Sequence, residues 1–455
     1  METPARVQPS GARHEVGVDE LFFSTTDARG VIEQANSVFV RLSRYSREQL
    51  VGAPHNLIRH PAMPGGAFLL MWEALEAGEP FCAYVDNLAA DGSTYGVFAT
   101  VTPLGDGYLS VRARPEVDEL HDAAFAVYGT VRPFERELRE QGWSAHEAAV
   151  RGAERIGEQL ADAGFPSYEE FTWTALPAEV QARIARGAGV ARRPLAGGEL
   201  GDMLTVARRI DEELRHWVVA LDDLQRVADA LRSAAPQLTG AVAEDADMAE
   251  RINRTDVDNL FSTAVVYLRV WAQMAPEAGT VMTEFLADLD QLRRSCAQTR
   301  FRIALAILHN QAVGQFVAEI IDRVPGSDAA RPAIADLGRA VDDGLVQMAA
   351  STSRNAELAA SAAEQISVLR DLLDLPQTMV REWLSRSDRS SDAFAEAADA
   401  IAARVEATQA DIDLLGTLAD ECRRIAVPLD VSAVEELSAR LRELLASAPD
   451  QSLRR

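Results

Sequence analysis

The chain has 455 residues, 47% of them hydrophobic, with 45 basic against 70 acidic side chains and a net charge of −25. At roughly 150 residues per domain, that length suits about two or three domains. Such an acidic balance argues against a nucleic-acid partner, whose phosphates need a basic face, and against docking on an anionic membrane. Every basic residue is arginine. The absence of lysine removes Schiff-base chemistry, the P-loop lysine and the kinase strand lysine together.

Residues 1–18 lack an apolar core and read as a flexible N-terminus, not a signal peptide. LFFSTTD (21–27) predicts a strand, Ala28-Arg29-Gly30 its turn, and VIEQA (31–35) a second strand. Asn36 stands where a helix N-cap belongs, before SVFVRLSRY. The loop GAPHNLIRHPAMP (52–64) leads into GGAFLLMWEALEAG, where Phe68, Met71, Trp72 and Leu75 share one helical face. Three strands follow, CAYVDNLA, TYGVFATVTPL and YLSVRAR, joined by turns at Asp91-Gly92 and Asp106-Gly107 as an antiparallel meander. Strand, strand, short helices, longer helix, three strands is the order of a PAS domain. The expected fold class is therefore α+β over 19–115, a five-stranded antiparallel sheet with short helices. A large all-α, partly coiled-coil region follows it.

That region divides, on sequence, into a helical connector (116–190), a helical bundle (199–325) and a long antiparallel hairpin (330–447). Residues 118–142 and 145–164 predict two helices, and the Gly/Pro/Arg stretch 186–201 a linker. A long helix over 201–234 is expected to stop before Pro236, with further helices at 255–275 and 277–324. Its longest apolar stretches, such as 303–308, are broken by His309 and Asn310 and fall short of the roughly 18–20 residues that span a bilayer. Leu345, Met348, Thr352, Asn355, Ala359, Ala362, Ile366, Leu369 and Leu373 alternate spacings of three and four. Phe394, Ala398, Ile401, Val405, Thr408, Ile412, Leu415, Ala419 and Cys422 do the same. Pro376 and SRSDRSSD (385–392) are expected to separate these runs. Seams of small residues bury little apolar area. Pairing two hairpins into a four-helix bundle would bury their second faces, so a homodimer is expected.

The run PHNLIRHPAMP (54–64), with Asn36, Trp72, Gly78-Glu79-Pro80 and Asn87, resembles the FAD-binding PAS domain of bacterial aerotaxis receptors. The resemblance covers about residues 19–114. It implies FAD as cofactor, with Arg59 and His60 as the contacting pair and Asn36, Asn87 and Phe81 shaping the pocket. A simple N-cap is the commoner use of asparagine at the position of Asn36, whereas Asn87 falls mid-strand, where asparagine is depleted. Trp72 reads as core. Two positions depart from the family: Phe81 stands where tryptophan is usual, losing an indole N–H, and Ala62 where aspartate is usual. Haem, held by His55 or His60, is the less favoured cofactor. Cysteinyl–flavin photochemistry is not expected, since HNLIRH (55–60) has no cysteine.

Cys82, Cys296 and Cys422 stand far apart and indicate neither a disulfide framework nor a zinc site, which fits a reducing, cytoplasmic setting. His216 with Glu212 and Glu213 reads as solvated charge, His309 as core, and Glu364-Gln365 as a coiled-coil surface despite a faint likeness to receptor methylation sites. No catalytic motif is present, so an enzyme is not expected. The reading is a signal-transduction protein sensing redox state or oxygen through a flavin-binding PAS domain. Its helical region would act as output and contact an unidentified signalling partner. The alternative is a non-enzymatic binding module with an empty or metabolite-binding pocket on a helical scaffold.

Overall fold

The computed structural model describes residues 7–254, 264–325, 327, 331–386, 392–427 and 430–447. The N-terminal domain opens with β1 (Phe22–Asp27) and β2 (Ile32–Ala35). Helices α1 (Ser37–Ser43) and α2 (Arg47–Leu50), a 3-10 turn (His55–Ile58) and α3 (Gly65–Glu76) follow, then β3 (Phe81–Leu88), β4 (Thr94–Leu104) and β5 (Gly107–Ala113). The five strands form one antiparallel sheet in the order β2-β1-β5-β4-β3. This is the PAS arrangement that the element order predicts. The elements described after it are all helices: α4 (Asp118–Glu140), α5 (Ala145–Asp162), α6 (Tyr168–Ala185), α7 (Gly198–Arg254), α8 (Ala264–Ile321), α9 (Arg331–Arg386), α10 (Asp392–Ile425) and α11 (Ser432–Ser447).

The chain forms two compact units. The first holds residues 1–218, 300–348 and 430–455, and the second 219–299 and 349–429. Within the first, both faces of the sheet are covered. Its inner face packs Phe22, Tyr95, Val97 and Ala99 against Phe39, Leu42, Leu50 and Ile58. On its outer face Phe23 meets Phe316 of α8 edge-on, ring centroids 4.8 Å apart. Three buried carboxylates from helices outside the domain cap backbone N–H groups that lack helical partners. Glu135 of α4 accepts from Gly65 and Gly66 at the start of α3, both at 2.7 Å. Glu179 of α6 accepts from Glu116 (2.7 Å) and Val117 (3.1 Å), just before α4, and from the Tyr84 hydroxyl of β3 (2.7 Å). Glu319 of α8 takes the hydroxyl and backbone N–H of Ser37, at the start of α1.

The second unit brings stretches of four helices together. Arg404 of α10 bonds Asp245 of α7 at 2.8 Å, and Gln237 of α7 donates to Asp411 of α10 at 2.5 Å. Asn355 of α9 donates to Thr299 of α8 at 3.0 Å. Ser361 and Gln365 of α9 reach Asp288 of α8 at 3.0 and 2.9 Å. From Thr352 to Leu373, every seam residue named above is buried, and so is every one from Ile401 to Cys422. The side chains of Phe394 and Ala398 lie outside the described residues. Stretches of α7 and α8 thus lie within this unit beside the two heptad runs.

Three prolines correct the sequence reading. Pro236, Pro276 and Pro376 lie inside α7, α8 and α9 and end none of them. An interior proline costs about 3 kcal/mol or more in a helix. Buried residues on both sides offset it: Ala235 and Leu238, Ala275 and Ala278, Leu373 and Val380. The separator between the heptad runs accordingly starts only after Arg386, and residues 387–391 lie outside the described ones. Among the described residues, one helical stretch, 269–321, is long and apolar enough to cross a membrane by length and composition, and 94% of its apolar window is buried. That is the state of a core helix.

Candidate functional site

A cavity of about 210 Å³ lies between the inner face of the sheet, the 55–58 turn and α3. Strand alternation sends Phe81, Ala83, Val85 and Asn87 of β3 into it, while Cys82, Tyr84 and Asp86 face the other way. Tyr108, Ser110 and Arg112 of β5 enter by the same rule. Helix α3 contributes Phe68, Met71, Trp72 and Leu75, the stripe visible in the sequence. Trp72 therefore lines the cavity, its ring edge-on to Tyr108 at 5.5 Å. It also lies where a side chain at Gly30 (φ 74°) would touch it, 3.3 Å from the Cβ position.

Polar groups in the lining are few and basic or neutral: three arginines, one histidine, two asparagines, Thr26, Ser110 and the Tyr108 phenol, with no Asp or Glu among the described residues. Asn87 is 2% exposed, and its Nδ2 has no hydrogen-bond partner. Its backbone bridges that of Arg59, tying the loop after the turn to β3. The Arg59 guanidinium lies 3.9 Å from the centre of the Phe68 ring and donates to the Met63 carbonyl at 3.2 Å. Arg112, 7% exposed, lies 4.9 Å from the Phe22 ring centre and 3.0 Å from His55 Nε2, and its Nε has no partner. Burial pushes the Arg112 pKa down to about 10, which leaves it charged at neutral pH. His55 Nε2 also lies 3.1 Å from Ser24 Oγ. A guanidinium can only donate, so Nε2 carries the lone pair and Nδ1 the proton. Burial, then the Arg112 charge, hold this imidazole well below its usual pKa, so it is neutral.

Of the residues expected from the sequence, Arg59, Asn87 and Phe81 line the cavity, and Phe81 also stacks on Tyr168 of α6 at 5.0 Å. Asn36 and His60 do not line it. Asn36 is a committed N-cap: Oδ1 accepts from Phe23 and Phe39 N–H at 3.2 and 3.1 Å, and Nδ2 donates to Leu21 at 2.9 Å. His60 Nδ1 accepts from Ala62 N–H at 3.2 Å within its own loop. Arg112 also lines the cavity without being picked out in the sequence, and so does His55, which enters the sequence reading only as a haem ligand. The signal for Arg112 was present, a charge mid-strand on the same face as Tyr108 and Ser110.

The donor set suits a flat, electron-rich ligand whose edge accepts hydrogen bonds. It suits haem poorly, because Arg112 occupies the one lone pair His55 could offer iron. Cys82 is buried on the outer face, 3.9 Å from the Thr172 carbonyl. Among the described residues, no group of three His, Cys, Asp or Glu could hold a metal. His216 is exposed beside Glu213, 3.8 Å away, and His309 is buried.

No family model matches the chain. It is 40% identical over 107 residues to the aerotaxis receptor of Escherichia coli, a match covering 22% of this chain and 21% of the receptor. It is 35% identical over 81 residues to the nitrogen fixation regulatory protein of Klebsiella pneumoniae, covering 18% and 16%. The chain thus spans about a fifth or less of these relatives' length. Among solved structures, the PAS domain of a protein from Colwellia psychrerythraea aligns at 23% identity over 21% of this chain and 85% of its own, TM-score 0.19. The LOV protein of Rhodobacter sphaeroides aligns at 16% identity over 32% and 92%, TM-score 0.21. The N-terminal segment is a PAS domain resembling that of the aerotaxis receptor.

Proposed function

We propose that this chain is a signal-transduction protein that senses redox state or oxygen through a flavin, FAD, whose ring occupies the PAS cavity. The observation that carries the reading is the buried, unpartnered Nδ2 of Asn87, in a cavity whose lining also offers the aromatic faces of Phe68, Trp72, Phe81 and Tyr108. A buried amide without a partner costs about 1–3 kcal/mol, and a ring carbonyl would supply the missing acceptor. The cavity volume, about 210 Å³, lies below the roughly 300–1,000 Å³ usual for whole ligands, so it suits a ring system with the remainder of a dinucleotide outside. When bound, flavin supplies reversible electron transfer. Asn87 and Arg112 would bond and orient the ring edge. Phe68, Met71, Trp72 and Leu75 would exclude water from its faces. Arg59 stands in the lining to meet a carbonyl or phosphate.

Strand β3 offers a route to the helices. Phe81, Ala83, Val85 and Asn87 face the cavity, while Tyr84 between them bonds Glu179, which also caps the entry to α4. Movement at the ring edge would bias that contact and shift the packing of α4 and α6.

The test is an absorption spectrum of the purified protein after incubation with FAD. Flavin bands are expected, and Asn87→Ala should weaken binding about tenfold or more while helical circular dichroism stays unchanged. A wild-type protein that stays colourless sinks the reading and favours a metabolite-binding module. The homodimer and the signalling partner belong to the same proposal. The described parts of the heptad seams are already covered inside the chain, so a dimer would use other faces. Sedimentation at about tens of micromolar, where a monomer would exclude it, tests that part.

A further inference from the structure

We propose that Arg112 is the specificity-determining residue of the cavity: its uncompensated guanidinium makes the site hold its occupant in an anionic state. The proposal rests on the flavin reading above, for which that state is the reduced ring carrying one proton fewer.

The chain carries a net charge of −25, yet no acidic side chain enters the cavity. Arg29 at the lining is paired with Asp27 at 3.0 Å. Arg59 rests on Phe68 and bonds the Met63 carbonyl. Arg112 differs. It faces His55 from the 55–58 turn, Phe22 from β1 and Tyr95 from β4. His55 is neutral. Burial raises the Tyr95 phenol above its ordinary pKa, so it is neutral as well. No carboxylate lies near Arg112 among the described residues, and its Nε has no partner. A buried cation costs several kcal/mol unless an opposite charge or hydrogen bonds compensate it. The protein supplies little of that compensation, and the guanidinium lines the cavity. Asn87 Nδ2, the second unpartnered group there, is also a donor. Both groups favour an electron-rich edge over a protonated one.

Two-electron reduction of a flavin ring takes up two protons when the product is neutral and one when it is anionic. A cation beside the ring lowers its affinity for the second proton, so reduction stays one-proton to lower pH. The experiment titrates the potential of the flavin-loaded protein with dithionite between about pH 5.5 and 8, with free flavin measured alongside. One proton per two electrons moves the potential by about 30 mV for each tenfold change in proton activity, and two protons by about 59 mV. The wild-type protein should keep the shallower slope to lower pH than free flavin does. In Arg112→Gln the break in slope should return toward that of free flavin. Its potential at pH 8 should also fall by about 30–60 mV, a ten- to hundredfold loss of preference for the reduced form. Arg112→Lys, which keeps the charge, should retain the wild-type break. Flavin bound with a break at or above that of free flavin overturns the role of Arg112 alone, and needs no variant to fold. A break unmoved in Arg112→Gln does the same. A protein that takes up no flavin overturns the reading of the cavity and this proposal with it.

Discussion

Gly66→Ala is expected to destabilise the first unit by about 3 kcal/mol, although alanine is the better helix former. Gly66 lies in α3, where an exposed Gly→Ala change would gain about 1 kcal/mol. Here a Cβ would sit 2.4 Å from the backbone nitrogen of Ala153 and 2.5 Å from the carbonyl carbon of Gly152, both in α5. Those are main-chain atoms, so no side chain can swing away and the two helices must separate. Separation disturbs a second contact. Glu135 accepts from Gly65 and Gly66, and Gly152 makes room for it, since a Cβ there would lie 2.2 Å from Glu135 Oε1. Two glycines on facing helices thus let a carboxylate from α4 seat on the start of α3, the helix that lines the cavity. Hydrogen exchange of α3 and α5 amides should quicken by about two orders of magnitude in Gly66→Ala. Gly157→Ala, in α5 with nothing within 4 Å of its Cβ position, is the control and should stabilise slightly. If both substitutions behave like the control, the close packing of α3 on α5 is wrong.

How far the sequence reveals this arrangement depends on what each residue's role requires. The sheet was legible because period-two alternation and Gly turns are local. The α3 stripe was legible for the same reason, although its Trp72 lines the cavity where the sequence suggested core. The prolines misled because a local rule met a long-range compensation: Pro236, Pro276 and Pro376 stay helical where buried neighbours hold both sides. The heptad seams were legible as seams, but not their neighbours, because small residues fit a second copy or another helix of the same chain equally well. At the site, Asn87 could be picked out by its residue type mid-strand. Asn36 carries two signals, cap and pocket, and its side-chain bonds to Phe23, Phe39 and Leu21 satisfy the first. Arg112 and His55 matter through each other and through the absence of any acid nearby. Neither property exists until the turn and β5 are brought together.

Acid should weaken the fold through His309, and His309→Leu should remove that weakness. His309 lies in α8, 1% exposed, with no hydrogen-bond partner for Nε2. Burial lowers its pKa from 6.5 to about 4. Between those values the unfolded chain binds a proton that the folded chain refuses. Stability from this group is therefore complete above pH 6.5 and falls as the pH drops toward 4. Over that window the loss amounts to about 3 kcal/mol, at 1.36 kcal/mol per pKa unit. His55, also held low by burial and by Arg112, contributes with the same sign. Glu179, Asp211 and Glu319 work in the opposite direction, because burial raises their carboxyl pKa values and protonation relieves it. The wild-type pH profile mixes these effects, whereas the difference between wild type and His309→Leu isolates one of them. Urea unfolding at pH 7.5 should find the two proteins close in stability, since leucine fills the site without a polar atom. At pH 4.5 the variant should be the more stable by about 2–3 kcal/mol. Profiles that stay parallel between these pH values would mean that His309 takes up its proton in the folded state as readily as in the unfolded chain.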